Sequence, residues 1–304
     1  MTYPLMVKIL CGISYRMETG FPKTFFGRTI VVSDSNAKEP APPRVVQVCL
    51  LPSEDLPLVD IWLVVDIVRA STVVVTFFDQ GGRLIVPVET VEEARSLHKE
   101  LGGDWLLMGE RNALPPEGFD VGNSPRELLG GIPARYAGAV MTTSNGTKAW
   151  LRAFDQGRPV LCASARNASA VVEEAMKRAE SIGILCAGKD GRAAMDDTTC
   201  AGLLVSEILE RSPNSLLDDG ARIASSLWSF FSADLSKGVK SASHMKELFR
   251  LGLEPDVDFC SERDRSRVVP EMTFFEGRPA FVRGKGKTGT DKKRRAAIEP
   301  PCEG

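Results

Sequence analysis

The sequence predicts an α/β protein built on a mostly parallel sheet with helices on both faces. Two observations carry this. Short apolar, β-branched segments alternate with longer segments of helical pattern, and strand-then-helix repetition builds parallel sheets covered on both sides. Polar clusters also recur just beyond the apolar segments, where a parallel sheet gathers its ligand-binding loops.

In chain order, residues 1–43 end in a Pro-rich stretch and lack the arrangement of a signal peptide. They read as a poorly ordered extension. Val45–Leu50 and Ile61–Val65 read as strands, and "RASTVVVTFFDQGG" as a helix closed by Gly81 and Gly82. Leu84–Val88 is the next strand. Thr90 then caps "VEEARSLHKEL", with Glu93 in the capping-box position. Trp105–Met108, Ala137–Met141, Pro159–Ala163 and Ile182–Cys186 are further buried strands, and helices follow from about Asn145, Asn167 and Asp197. Asp219–Ala233 and His244–Leu251 read as helices, and "MTFFEGRPAFVR" as a β-hairpin with a Gly-containing turn. Residues 44–283 thus form one domain. Residues 284–304, rich in Gly and Lys, read as a disordered basic tail.

Composition excludes several function classes. A net charge of −2 over 304 residues implies no general attraction to nucleic acid or to a membrane surface. No apolar run approaches the ~18 residues that span a bilayer. The seven cysteines are scattered, with no C-x-x-C pair, which suits reduced, buried thiols and a cytoplasmic setting. With only His98 and His244 in the chain, a histidine-based triad or zinc site is not expected, and His98 is placed on an exposed helix face.

The polar clusters carry the chemistry. Ile61–Val65 leads to Asp66, Arg69, Ser71 and Thr72; Trp105–Met108 leads to Glu110 and Arg111. Ala137–Met141 leads to Thr143, Asn145, Gly146 and Thr147, Pro159–Ala163 to Asn167, and Ile182–Cys186 to Gly188, Lys189, Asp196 and Asp197. At a shared sheet edge, hydroxyls, amides and backbone N–H groups at helix N-termini bind phosphate. Arg69 and Arg111 suit an anion, and Asp66, Glu110, Asp196 and Asp197 offer the hard oxygens that magnesium prefers. Each alone has an ordinary reading as well: Asp66, Asn145, Asn167 and Asp197 as helix caps, Arg69 as half of an ion pair. Two rivals remain at this level. "CAGKDGR" has the C-x5-R spacing of cysteine phosphatases, with Cys186 as thiolate and Arg192 on the phosphate. Asp66 could be an aspartyl nucleophile, but Val68 stands where such enzymes place a second Asp.

The segments "VVDIVRAST", "GERNALPPEGFDVGNSP", "TTSNGT", "ARNASAV", "CAGKDG" and "DDTTCAG", in this order, resemble the 2-phosphosulfolactate phosphatase family over roughly residues 45–283. "SHMKELFRLGLEPDVDFC" resembles the family's C-terminal part. The resemblance implies a three-layer α/β/α arrangement with a mostly parallel, mixed sheet. It implies a magnesium-dependent phosphatase that converts 2-phospho-3-sulfolactate and water to sulfolactate and phosphate, a step of coenzyme M synthesis. The implied partner is a small-molecule phosphate monoester, and a homodimer is a further expectation. Asp66, Glu110, Asp196 and Asp197 are then the expected metal ligands, with Glu110 as an alternative base. Asp66, Arg69, Glu110 and Arg111 would be the catalytic groups. Ser71, Thr72, Asn123, Thr143, Asn145, Gly146, Thr147, Asn167, Gly188 and Lys189 would be the substrate contacts, with Lys189 meeting a second anionic group. Water or Asp66 attacks phosphorus. A protein that binds a phosphorylated metabolite without turning it over is the non-enzymatic alternative.

Overall fold

A computed structural model of the chain describes residues 43–284. The expected N-terminal extension and basic tail lie outside the described residues, apart from Pro43 and Gly284 at their borders. The strands are β1 (Val45–Cys49), β2 (Ile61–Val65), β3 (Leu84–Pro87), β4 (Trp105–Gly109), β5 (Gly138–Thr142), β6 (Val160–Ala163), β7 (Ser181–Cys186), β8 (Leu216–Leu217), β9 (Pro270–Phe275) and β10 (Arg278–Arg283). The helices are α1 (Ala70–Asp79), α2 (Val91–Leu101), α3 (Gly146–Phe154), α4 (Ala168–Arg178), α5 (Met195–Arg211), α6 (Asp219–Phe230), α7 (Leu235–Lys240), α8 (Met245–Arg250) and α9 (Glu254–Cys260). The capping box expected at α2 is present, with Thr90 accepting from the Glu93 N–H and Glu93 reaching back. His98 is half-buried rather than exposed, its Nε2 2.8 Å from the Trp105 carbonyl.

The ten strands form one sheet in the order β4-β5-β3-β10-β9-β6-β2-β7-β1-β8. Side chains alternate across it. Ile61, Leu63 and Val65 of β2 join the layer of α4 to α9, while Trp62 and Val64 join α1 and α3 on the other face. That second apolar layer also takes in Ile85, Leu106, Ala139 and Met141, so α1 and α3 are shared by both halves of the sheet. The far face of β3, β4 and β5 is covered by α2 through Ala94 and Leu97. The result is a three-layer α/β/α fold with a mostly parallel, mixed sheet.

One feature departs from the simple expectation of a single carboxyl edge. The sheet contains two parallel blocks, β4-β5-β3 and β6-β2-β7-β1-β8. Three antiparallel pairings, β3 with β10, β10 with β9 and β9 with β6, separate them. Three reversals give the blocks opposite polarity, so in a flat sheet their carboxyl ends would lie on opposite edges. Strand twist of roughly 20–25° per neighbour accumulates over the five steps from β5 to β2 to roughly 100–125°, which turns the two sets of ends toward one another. Accordingly α3, which follows β5, packs against β2, β6 and β7 of the other block.

Candidate active site

The carboxyl ends of β2, β4, β5 and β7 surround one cleft. Asp66, Val68 and Arg69 enter it after β2, Glu110, Ala113 and Asn123 after β4, and Asn145 after β5. Gly188, Lys189, Ala194, Asp196 and Asp197 enter between β7 and α5, while His244, Glu247 and Leu248 come from α8 and the residue before it.

Two kinds of close approach hold these loops together. Gly146 sits so tightly against the β2 loop that a Cβ there would lie 2.8 Å from both Asp66 Oδ2 and Ala70 Cβ. Asn145 Oδ1 accepts a hydrogen bond from the Asp190 N–H at 3.2 Å, joining the end of β5 to the loop after β7. The carboxylates do similar work. Asp197 accepts from the Ile67 N–H and the Gly188 N–H, both at 2.9 Å. Glu110 accepts from the Ser144 N–H at 2.8 Å and the Ala113 N–H at 3.0 Å. Gly188 has φ +66°, and a Cβ there would meet the Arg192 carbonyl at 2.6 Å. Only glycine turns the chain this way and still presents its N–H to Asp197.

Four helices begin at the cleft. Their N-cap residues, Arg69, Asn145, Ala194 and His244, all line it, and none caps its helix with its own side chain. Away from the cleft, Thr90 and Asp218 do cap α2 and α6. Asp66 takes the first two N–H groups of α1 and Thr143 Oγ1 takes the Thr147 N–H of α3, whereas α5 has no side-chain cap, and a helix N-terminus left open toward a cavity attracts anions.

Charge in the cleft is unbalanced toward acid. Asp66, Glu110, Asp196 and Asp197 are each at most 8% exposed. Burial pushes the Asp66 carboxyl up to about 7, helped by the neighbouring charges of Asp196 and Glu110. Burial also holds Asp197 well above the carboxylate range, with Asp196 and Asp66 adding to it. Two carboxylate oxygens have nothing to bind. Asp196 Oδ1 is buried without a hydrogen-bond partner, and no hydrogen bond among the described residues reaches Asp66 Oδ2, since Ala70 N–H goes to Oδ1. An oxygen buried like Asp196 Oδ1 is costly unless a cation or donor meets it. No group of three or more His, Cys, Asp or Glu side chains among the described residues is arranged to hold a metal ion. Magnesium, however, commonly takes only one or two carboxylates, the remainder being water and substrate phosphate. Asp66 and Asp196 match that donor set.

Sequence reasoning missed His244 and the cleft's debt to residues 244–256. His244 Nε2 lies 3.2 Å from Asp196 Oδ2. Burial lowers its pKa, but the bond to Asp196 and that carboxylate's charge outweigh this and leave it raised. A histidine one residue before a short helix gave no local signal, because its partner is 48 positions away.

Several expected contacts lie elsewhere. In place of an anion grip, the Arg111 guanidinium donates to the Glu110 and Glu89 carbonyls and to Thr142 Oγ1, which fastens its loop. Ser71 Oγ accepts from the Asp66 N–H and Thr72 Oγ1 donates to the Ile67 carbonyl, so both brace the β2–α1 turn. Thr143 and Thr147 bond to one another across the first turn of α3. Asn167 is fully buried, accepting from the Ser164 N–H and donating to the Cys162 and Val268 carbonyls. Cys186 is buried beside Cys200, and burial with the nearby Asp197 charge drives its thiol well above the ordinary value. Arg192 is exposed. That is the opposite of an activated thiolate.

The profile of the 2-phosphosulpholactate phosphatase family matches residues 48–274. A protein of Deinococcus radiodurans named probable 2-phosphosulfolactate phosphatase is 40% identical over 236 residues, covering 77% of this chain and 96% of the relative. Proteins of the same name from Thermus thermophilus and Clostridium acetobutylicum are 39% and 35% identical, covering 75% and 70% of this chain and 94% and 90% of the relatives. A match that runs from β1 through β9 and takes in every strand end bordering the cleft shows that the chain belongs to the 2-phosphosulpholactate phosphatase family.

Proposed function

We propose that this phosphatase hydrolyses the phosphate monoester of a small hydroxy acid in a magnesium-dependent reaction, with 2-phospho-3-sulfolactate, the substrate named for its relatives, as the leading candidate. The observation that carries the reading is the meeting of the buried, unpartnered Asp196 oxygen with the uncapped N-terminus of α5 and the Arg69 guanidinium in one cleft. Asp66 and Asp196 would hold the ion, which supplies positive charge against the phosphoryl oxygens and lowers the pKa of water. Glu110 and Asp197 keep the loops in place through their backbone bonds.

The remaining work falls to the chain itself. Arg69 and the first N–H groups of α5 stabilise the charge that builds on the phosphoryl group. His244 holds one oxygen of Asp196 and leaves the other free. Lys189, 31% exposed at the rim, meets the acid group at the far end of the substrate. Val68, Ala113 and Leu248 give the carbon skeleton an apolar wall. Water displaces the alkoxide at phosphorus, and the products are the hydroxy acid and inorganic phosphate. Among the described residues no helix is long and apolar enough to cross a membrane, and the five cysteines there are free and buried. Both fit a reaction carried out in the cytoplasm.

The test is phosphate release from 2-phospho-3-sulfolactate and a panel of phosphorylated hydroxy acids, with EDTA and with magnesium added back. Release that stops in EDTA and returns with magnesium supports the proposal. Release that survives EDTA and is lost in Cys186→Ser assigns the chemistry to the thiol instead. Tight binding of the esters without turnover would make the chain a sensor.

A further inference from the structure

Arg69 is the one arginine among the residues bordering the cleft, and its guanidinium is not free to move. Nη1 donates to Asp256 Oδ2 at 2.9 Å, and Nη2 donates to the Ala113 carbonyl at 2.6 Å. The other oxygen of Asp256 accepts from Ser124 Oγ at 2.8 Å. The ion pair is sealed, with side chains 4% and 3% exposed. Asp256 itself does not border the cleft; it stands behind Arg69, on α9.

A guanidinium carries five N–H donors in a fixed plane. Two are engaged by Asp256 and Ala113, and the other three have no partner among the described residues. The restraint matters because of the rest of the lining. Asp66, Glu110 and Asp196 would each attract an unrestrained guanidinium, and in a buried setting that attraction is strong. An Arg69 collapsed onto Asp66 would cover the space that phosphate needs. Asp256 supplies the competing carboxylate from outside the cleft. Through Ser124 it also holds the residue next to Asn123, so one carboxylate ties together the loops after β2 and β4.

We propose that Asp256 is a positioning residue for phosphate-ester recognition, which anchors Arg69 in the orientation that meets the phosphoryl group and keeps it off the cleft carboxylates. This rests on the reading of the cleft as a phosphate-monoester site. The rival is an ion pair that only fastens α9 to the domain, and such a pair would affect melting but not phosphate affinity.

The experiment compares wild type, Asp256→Asn, Arg69→Gln and the double variant. Turnover of a phosphate monoester, inorganic phosphate binding by calorimetry with magnesium present, and melting temperature are each measured. Asp256→Asn is expected to lower kcat/KM by about 10–100-fold, the range for residues that orient a contacting group, and to weaken phosphate binding by about tenfold or more. The double variant is expected to be no worse than Arg69→Gln alone, because Asp256 acts through Arg69. Losses that multiply in the double variant overturn the proposal, as does Asp256→Asn with a lowered melting temperature and unchanged phosphate affinity. Should Asp256→Asn fail to fold, Ser124→Ala decides, since it loosens the same carboxylate by one hydrogen bond. A severalfold weaker phosphate affinity supports the proposal and an unchanged one overturns it. Wild type that neither turns over a phosphate ester nor binds phosphate would instead sink the reading of the site, and Asp256's role with it.

Discussion

Replacing Gly146 with alanine should damage catalysis far more than stability. The added Cβ would lie 2.8 Å from Ala70 Cβ, 2.8 Å from Asp66 Oδ2 and 3.2 Å from Thr143 Oγ1. Ordinary carbon–carbon contact is ~3.5 Å, so the starts of α1 and α3 must separate by about 0.7 Å, or the Asp66 carboxylate must turn away. Overpacking of this kind costs about 1–3 kcal/mol. Gly146 is the first residue of α3, so alanine's helix propensity, an interior effect, offsets little, and a loss of about 1–3 kcal/mol lowers the melting temperature by at most about 12 °C for a domain this size. Activity is more sensitive, because misplacing a reacting group by ~1 Å costs on the order of 10²-fold. Steady-state phosphate release and a thermal melt on the same preparation measure the two effects. Gly103→Ala, where a Cβ meets nothing within 4 Å, is the control. A Gly146→Ala enzyme whose kcat/KM stays within threefold of wild type would refute the idea that close approach of the two blocks sets the position of Asp66.

Asp66→Asn should stabilise the metal-free domain while abolishing turnover. In the fold Asp66 keeps its proton to about pH 7, against 3.8 ordinarily. Asp66 therefore costs no stability below about pH 4, and its cost grows as pH rises to about 7. The variant lacks that cost, so in EDTA it should melt higher than wild type at pH 8 and level with it near pH 4, once the change at this one site is separated by comparing the two proteins at each pH. An advantage that does not change with pH contradicts this origin. Cys186→Ser should keep phosphate release within about twofold, measured well below the melting temperature, because its buried thiol does not ionise at working pH. His244→Ala should raise the magnesium concentration for half-maximal activity by about 10–100-fold. His244→Gln should recover part of that, since an amide N–H can still reach Asp196; equal defects in the two would exclude a role for the donor.

Local interactions made much of this protein legible without coordinates. Apolar segments such as Ile61–Val65 are buried strands because no other short structure hides five large side chains while pairing its backbone. Thr90 and Glu93 announce α2 because a capping box satisfies its donors within four residues. The strand-end clusters pointed to Asp66, Arg69, Glu110, Asn145, Lys189 and the Asp196–Asp197 pair, the family resemblance added Asn123, and all of these border one cleft. Other members of the same clusters were indistinguishable by type. Thr143, Asn167 and Arg111 carry the same groups as true cleft residues, and only the partners within reach decide that they satisfy their own loops.

Tertiary structure alone decided three things. The reversal between the two parallel blocks depends on the β9–β10 hairpin inserting between β3 and β6, a pairing between segments more than 100 residues apart. The arrival of His244 at Asp196 and of Asp256 at Arg69 depends on how α7 to α9 pack over the sheet. Which carboxylate oxygens stay unpaired depends on where neighbouring N–H groups fall to within a few tenths of an ångström. Sequence specifies residue types and local periodicity; the charge and spacing of a site are sums over distant segments, and those exist only once the chain has folded.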